Sequence, residues 1–176
     1  YGAVAGFSHF VAGGPIIGTT ALMFDGPGFD PKRALLRGLP FSNLGAYVFG
    51  AQAIEVEVDE VTGQVEVVEV WSAHDVGKAV NPQQVEGQIH GGTAQGIGLA
   101  LMEEYIPGRT ENLHDYLTPT FGDPPGVICE SVAAPTQHGP HGAKGVGEPA
   151  LISTAPAIFG GIYRATGVRV TKIPVL

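Results

Sequence analysis

Residues 54–71 read Ile54-Glu55-Val56-Glu57-Val58-Asp59-Glu60-Val61-Thr62-Gly63-Gln64-Val65-Glu66-Val67-Val68-Glu69-Val70-Trp71. As far as Asp59, apolar and acidic residues alternate without error, the two-residue period of a strand with one solvated face. Thr62-Gly63 supplies turn chemistry, and a second alternating run follows it. The stretch therefore predicts a β-hairpin. The alternation slips at Val67-Val68, which predicts a bulge. The acidic stripe reads as a solvated sheet face, with a docking surface as the alternative.

Outward from the hairpin, Asn81-Pro82 opens a helix, because Asn is a strong N-cap and Pro suits the first helical position. The pattern carries this helix to Glu104, before Pro107-Gly108. It holds Gly87, Gly91, Gly92, Gly96 and Gly98, and each interior glycine costs about 1 kcal/mol against alanine. Close packing or a ligand against the backbone must offset that. A strand is expected near Ile128–Val132, a helix over Ser153–Ala165 with Gly167 as its stop, and a closing strand over Val168–Ile173. The class is α+β, a mixed sheet with a Gly-rich buried helix. Residues 1–40 are rich in Gly and Pro and read as a loop-rich first segment, with short strands near Phe7–Val11 and Thr19–Phe24; residues 41–176 form the main domain.

The chain has 176 residues, 44% hydrophobic and 15% charged, with a net charge of -8 and only 9 Lys plus Arg. That is a globular composition without a basic run, so nucleic acid is not an expected partner. Gly, Pro or a charge interrupts each apolar stretch, so no membrane span is expected. The single cysteine, Cys129, excludes a disulfide framework or an iron–sulfur centre within this chain and reads as a small buried hydrophobe. The chain starts at Tyr1 without a signal-like flank. It reads as a piece of a larger, cytoplasmic polypeptide.

Two constellations carry chemistry. Gly142-Ala143-Lys144-Gly145-Val146-Gly147-Glu148 combines glycines, a lysine and one carboxylate. Such a loop exposes consecutive N–H groups as a nest for an anion, with Lys144 as an added charge and Glu148 placed to handle a proton. The alternative is that Glu148 caps the following helix. On the first helix, Gln84, Gln88, Gly91 and Gln95 share one face. That face suits a flat polar ligand, or a helix–helix contact through its glycines. The histidines His9, His74, His90, His114, His138 and His141 have no metal-helix spacing, so no protein-ligated metal is expected.

Three segments, 74–82 (His74-Asp75-Val76-Gly77-Lys78-Ala79-Val80-Asn81-Pro82), 87–98 (Gly87 to Gly98) and 142–149 (Gly142 to Pro149), closely resemble the molybdenum-binding large subunit of the xanthine dehydrogenase / aldehyde oxidase family, near its C-terminus. Asn112–Thr120 and Arg164–Arg169 are also similar. The resemblance implies the second half of a molybdenum-cofactor-binding domain. Its cofactor would be molybdopterin, or molybdopterin cytosine dinucleotide, with no side chain on the metal. Glu148 matches the family's catalytic glutamate, the general base in oxidation of an electron-poor carbon of a heterocycle or aldehyde with water-derived oxygen. Gln88 matches a glutamine beside the metal, and Lys144, Gly145, Val146 and Gly147 match a turn that contacts the cofactor. Gly91, Gly92 and Gln95 complete the expected cofactor surface.

The family's subunit is several times longer, so the implied partners are the remainder of the molybdenum subunit, iron–sulfur and FAD domains or subunits, and a small-molecule substrate. Activity is expected only in the complete enzyme. The alternatives are a non-catalytic structural fragment without cofactor, and an anion- or phosphate-binding module resting on the glycine loop alone.

Overall fold

The alternating stretch folds as a hairpin with longer arms than the pattern marks, β1 (Gly50–Val58) and β2 (Val65–Asp75), paired antiparallel. This computed structural model describes residues 46–137 and 139–175, within the compact unit Gly45–Leu176. The expected first segment, residues 1–40 with its two short strands, lies outside the described residues. The hairpin turn is tied by Asp59, whose Oδ1 accepts the N–H groups of Val61 (2.8 Å) and Thr62 (3.1 Å). Gly63 takes the left-handed conformation (φ 79°) that the turn requires. The Thr62 and Val61 N–H groups hold the Asp59 carboxyl below its usual range.

The predicted bulge is present. Glu55 pairs with Glu69 and Val56 with Val67, leaving Val68 as the extra residue. The slip lets Val67 and Val70, three apart, both face the core.

A third strand, β3 (Gly126–Val132), runs parallel to β2, so the sheet is mixed with order β1-β2-β3. Parallel neighbours need a crossover, and α1 (Pro82–Leu101) lies within it. The last helix, α2 (Pro149–Thr166), contacts both α1 and β1. The core holds Val67, Val70, Ile97, Ala100, Ala155, Ile158 and Ile162. Trp71 (39% exposed) and Ile128 (52%) lie on the sheet's other face, which these two helices leave uncovered.

Asn81 caps α1 as expected: its side chain accepts the Gln84 N–H at 3.2 Å, with Pro82 next. The far end differs. The helix stops at Leu101, not Glu104, because the Gly98 carbonyl accepts both the Met102 and Glu103 N–H groups and the chain folds back. A Cβ on Gly98 would overlap the Glu103 side chain and lie 2.6 Å from Pro119 Cδ. Two other glycines admit α2: a Cβ on Gly92 would lie 2.9 Å from Ala150 Cβ, and one on Gly96 would overlap Thr154. Close packing therefore offsets the helix cost there, whereas Gly87 and Gly91 are exposed.

The second helix begins four residues earlier than Ser153 and carries Pro156 inside it. It ends as expected, with Gly167 left-handed (φ 75°) and donating its N–H to the Tyr163 carbonyl. The closing strand expected over Val168–Ile173 does not form. Val170 and Val175 instead pack against the core, and the Val175 N–H donates to the Ala100 carbonyl at 2.8 Å. These two valines plug the core rather than pair along a strand edge, while Val168 and Ile173 stay exposed.

Candidate functional site

The site is assembled where two chain segments leave the sheet at one end. After β2, the run Val76-Gly77-Lys78 meets the run Gly142-Ala143-Lys144 that follows β3. Gly77 and Ala143 form an antiparallel bridge. The Lys78 N–H donates to the Gly142 carbonyl (3.0 Å), and the Lys144 N–H donates to the Val76 carbonyl (3.0 Å). Gly77 (φ 63°) is required, since a Cβ there would overlap the Gly142 carbonyl. His141 holds a left-handed conformation (φ 54°, ψ 17°) in the short turn Pro140–Gly142 that aims the loop. This conformation costs a non-glycine residue about 1–2 kcal/mol.

Asp75 locks this junction. Its Oδ1 accepts the Gly77 N–H at 3.0 Å and its Oδ2 accepts from the Lys144 ammonium at 2.5 Å. The two side chains are 7% and 10% exposed. Burial pushes the Asp75 carboxyl up, but Lys144 and the backbone N–H donors outweigh it and hold it below the usual range. Lys144 therefore spends its charge on Asp75. The expectation that it adds a charge for an anionic ligand is corrected by this pairing.

Beyond Lys144 the loop opens. Among the described residues, the N–H groups of Gly145, Val146, Gly147 and Glu148 have no hydrogen-bond partner. Gln88 approaches from α1: a Cβ on Gly147 would lie 4.0 Å from its Oε1. Gln84, Gln88, Lys78, Asn81, Lys144 and Val146 help to line a cleft of about 910 Å³. Glu148 follows Val146 by two residues and stands at the N-cap position of α2, exposed, with no side-chain cap bond. Its carbonyl accepts the Leu151 N–H at 3.0 Å. Its carboxylate is thus not committed to capping.

The helix stripe divides. Gln84 and Gln88 belong to the large cleft, whereas Gln95 lines a separate groove of about 500 Å³ with Leu99, Glu103, Thr118, Pro119 and Leu151. Gly91 keeps its backbone exposed. Gly92, expected on the cofactor surface, is buried beneath Ala150, so it serves the α1–α2 contact. Cys129 is half-buried on β3; burial, then the charge of Glu86, pushes its thiol up.

Sequence reasoning passed over Gln52. Its Nε2 donates to Ser72 Oγ (3.0 Å), Thr93 Oγ1 (3.2 Å) and the Ala150 carbonyl (3.2 Å). Its Oε1 accepts from Ser153 Oγ (2.9 Å) and Thr154 Oγ1 (2.8 Å). The available signal was its position, since it shares the inward phase of β1 with Ile54, Val56 and Val58. The inward phase of β2 likewise carries His74, 1% exposed and with both ring nitrogens unpartnered among the described residues. Gly50 leaves room for that ring, and burial pushes the imidazole below its usual value.

Residues 13–125 match the sequence model of the molybdopterin cofactor-binding domain. This chain belongs to that family. The matched span contains the 74–98 motifs and ends before the glycine loop. Among the chain's relatives, a probable xanthine dehydrogenase component of Bacillus subtilis (strain 168) is 39% identical over 133 residues, covering 73% of this chain and 18% of that one. The nicotine 6-hydroxylase large subunit of Paenarthrobacter nicotinovorans is 38% identical over 145 residues, covering 79% and 17%. The solved structure of the aldehyde oxidoreductase from Desulfovibrio gigas superposes with a TM-score of 0.71 at 38% identity, covering 74% of this chain and 15% of that one. The α+β fold is thus the fold of molybdenum enzymes, and this chain spans less than a fifth of the length of these relatives.

Proposed function

We propose that this chain forms one wall of the cofactor site of a molybdenum hydroxylase and supplies its general base, Glu148. The observation that carries the reading is the run Gly145–Glu148, whose backbone N–H groups are unpartnered among the described residues, beside Gln88, and whose last carboxylate is uncommitted. Unpaired N–H groups in a glycine-rich turn suit the polar edge of a pterin or its phosphate. The residues present therefore fit molybdopterin, or its cytosine dinucleotide form. Gln88 would donate or accept across the cleft, and the backbone of Lys144 to Gly147 would lie along the cofactor. Gly91, whose backbone is exposed beyond Gln88 on α1, would extend that surface, whereas Gln95 faces the separate groove.

When bound, the cofactor supplies the oxidising centre. Glu148 would accept the proton released as water-derived oxygen is delivered to an electron-poor carbon of a heterocycle or aldehyde. A positioned base of this kind contributes about 10²- to 10⁴-fold. The rest of the molybdenum subunit would close the cleft, and iron–sulfur and FAD centres elsewhere would carry electrons away.

In the complete enzyme, Glu148→Gln is expected to abolish turnover while molybdenum and pterin stay bound; near-normal turnover in that variant would overturn the assignment. Because the cleft is open in this chain, the chain alone is expected to retain no cofactor. Metal analysis of the isolated chain reads that directly, with molybdenum and pterin fluorescence at one equivalent as the contrary result.

A further inference from the structure

The run Gly145–Glu148 makes no backbone N–H bonds of its own among the described residues, yet both of its ends are fixed by buried polar groups. Upstream, Lys144 is held by Asp75, 69 residues away in sequence. Asp75 also takes the Gly77 N–H, on the segment that bridges to Ala143. Downstream, Gln52 holds the first turns of α2 through the Ala150 carbonyl and the Ser153 and Thr154 hydroxyls. Neither Asp75 nor Gln52 lines the cleft. A short bridge without internal bonds has its path set by its anchors, and glycine adds no stiffness.

We infer that Asp75 and Gln52 are positioning residues that clamp the bridge at Lys144 and Ala150 and so set where the Glu148 carboxylate stands relative to Gln88. The inference rests on the reading of Glu148 as the base. Asp75 acts through Lys144, and Gln52 through the start of α2; neither touches substrate.

The test uses the complete enzyme and compares Asp75→Asn, Gln52→Leu and Glu148→Gln. Molybdenum and pterin content, kcat, KM and deuterium uptake by the peptide spanning 142–150 are read for each. Asp75→Asn is expected to keep cofactor and KM, to speed uptake in that peptide, and to lower kcat by about 10- to 100-fold, as small misplacements of a reacting group do. Gln52→Leu is expected to act the same way. Glu148→Gln is expected to lose turnover without faster uptake. Should Asp75→Asn fail to yield folded enzyme, Asp75→Glu, which keeps the charge but lengthens the clamp and leaves the cleft lining untouched, is read identically. Normal kcat despite faster uptake, or unchanged uptake in both clamp variants, would overturn the inference. Turnover retained by Glu148→Gln would remove the base assignment alone, because the uptake comparison reports on the clamps independently.

Discussion

At the scale of single residues, Gln52 joins both helices to the hairpin through four hydrogen bonds and ties β1 to β2 through a fifth, to Ser72. Replacing it with leucine strands the buried hydroxyls of Ser72 and Thr93, and an unsatisfied buried group costs about 1–3 kcal/mol. Gln52→Leu is therefore expected to lower the melting temperature of the chain by on the order of 10 °C, measured by circular dichroism; an unchanged midpoint contradicts this account. His74 makes stability depend on pH. Burial holds its imidazole below the usual histidine value in the folded chain. The unfolded chain then binds the proton first, so stability is full above the unfolded value and falls as pH drops through it toward the folded one. Asp75 acts lower on the scale: its depressed carboxyl stabilises above the usual aspartate value, and that contribution is lost as pH falls through the folded one. His74→Phe is expected to flatten the first of these declines, which sets in below the usual histidine value, in thermal scans. The Asp75–Lys144 pair was not legible in the sequence, because no local pattern announces a partner so distant along the chain. The loop itself was legible, because glycine density and a lone carboxylate are local.

At the scale of elements, the hairpin, its bulge and the start of α1 were readable from period and cap chemistry alone. Where prediction failed, tertiary contacts decided. The α1 terminus is set by Glu103 and Pro119 folding over Gly98, and the C-terminal valines were drawn to the core rather than to a strand edge. The glycines of α1 divide for the same reason. Gly96→Ala would push into Thr154, and overpacking costs about 1–3 kcal/mol. Gly87 has open space around it, so Gly87→Ala is expected to stabilise by about 0.5–1 kcal/mol. Opposite signs for the two substitutions in urea unfolding are the expected result; equal signs would refute the packing account. The hairpin offers another check. Glu55 faces Glu69, and Glu57 faces Glu66. Like charges directly opposite destabilise, so Glu55→Lys is expected to stabilise by about 0.2–1 kcal/mol, with the gain shrinking at high salt.

At the scale of the molecule, a three-stranded sheet carries both described helices on one face, and neither covers the other. Among the described residues no helix is long and apolar enough to cross a membrane. The fold class was legible because the two-residue period of the hairpin and the Asn81-Pro82 and Gly167 helix signals are written plainly in sequence. Half of the proposed site was also legible, namely the loop and Gln88. The positioning half was not, because it consists of polar residues in inward-facing strand positions, where pattern reading expects hydrophobes.

Val68 carries a consequence for changes in chain length. As the extra residue between the Glu55–Glu69 and Val56–Val67 pairs, it absorbs locally a surplus that would otherwise pass down the strand. A deletion at Val68 would leave Val70, Ser72 and His74 on the inner face, with only the local twist altered. A deletion three residues later, at Trp71, would turn Ser72 and His74 outward and move Asp75 away from Lys144. The tolerance of this strand to shortening is thus concentrated at a single position, well before the loop it helps to hold.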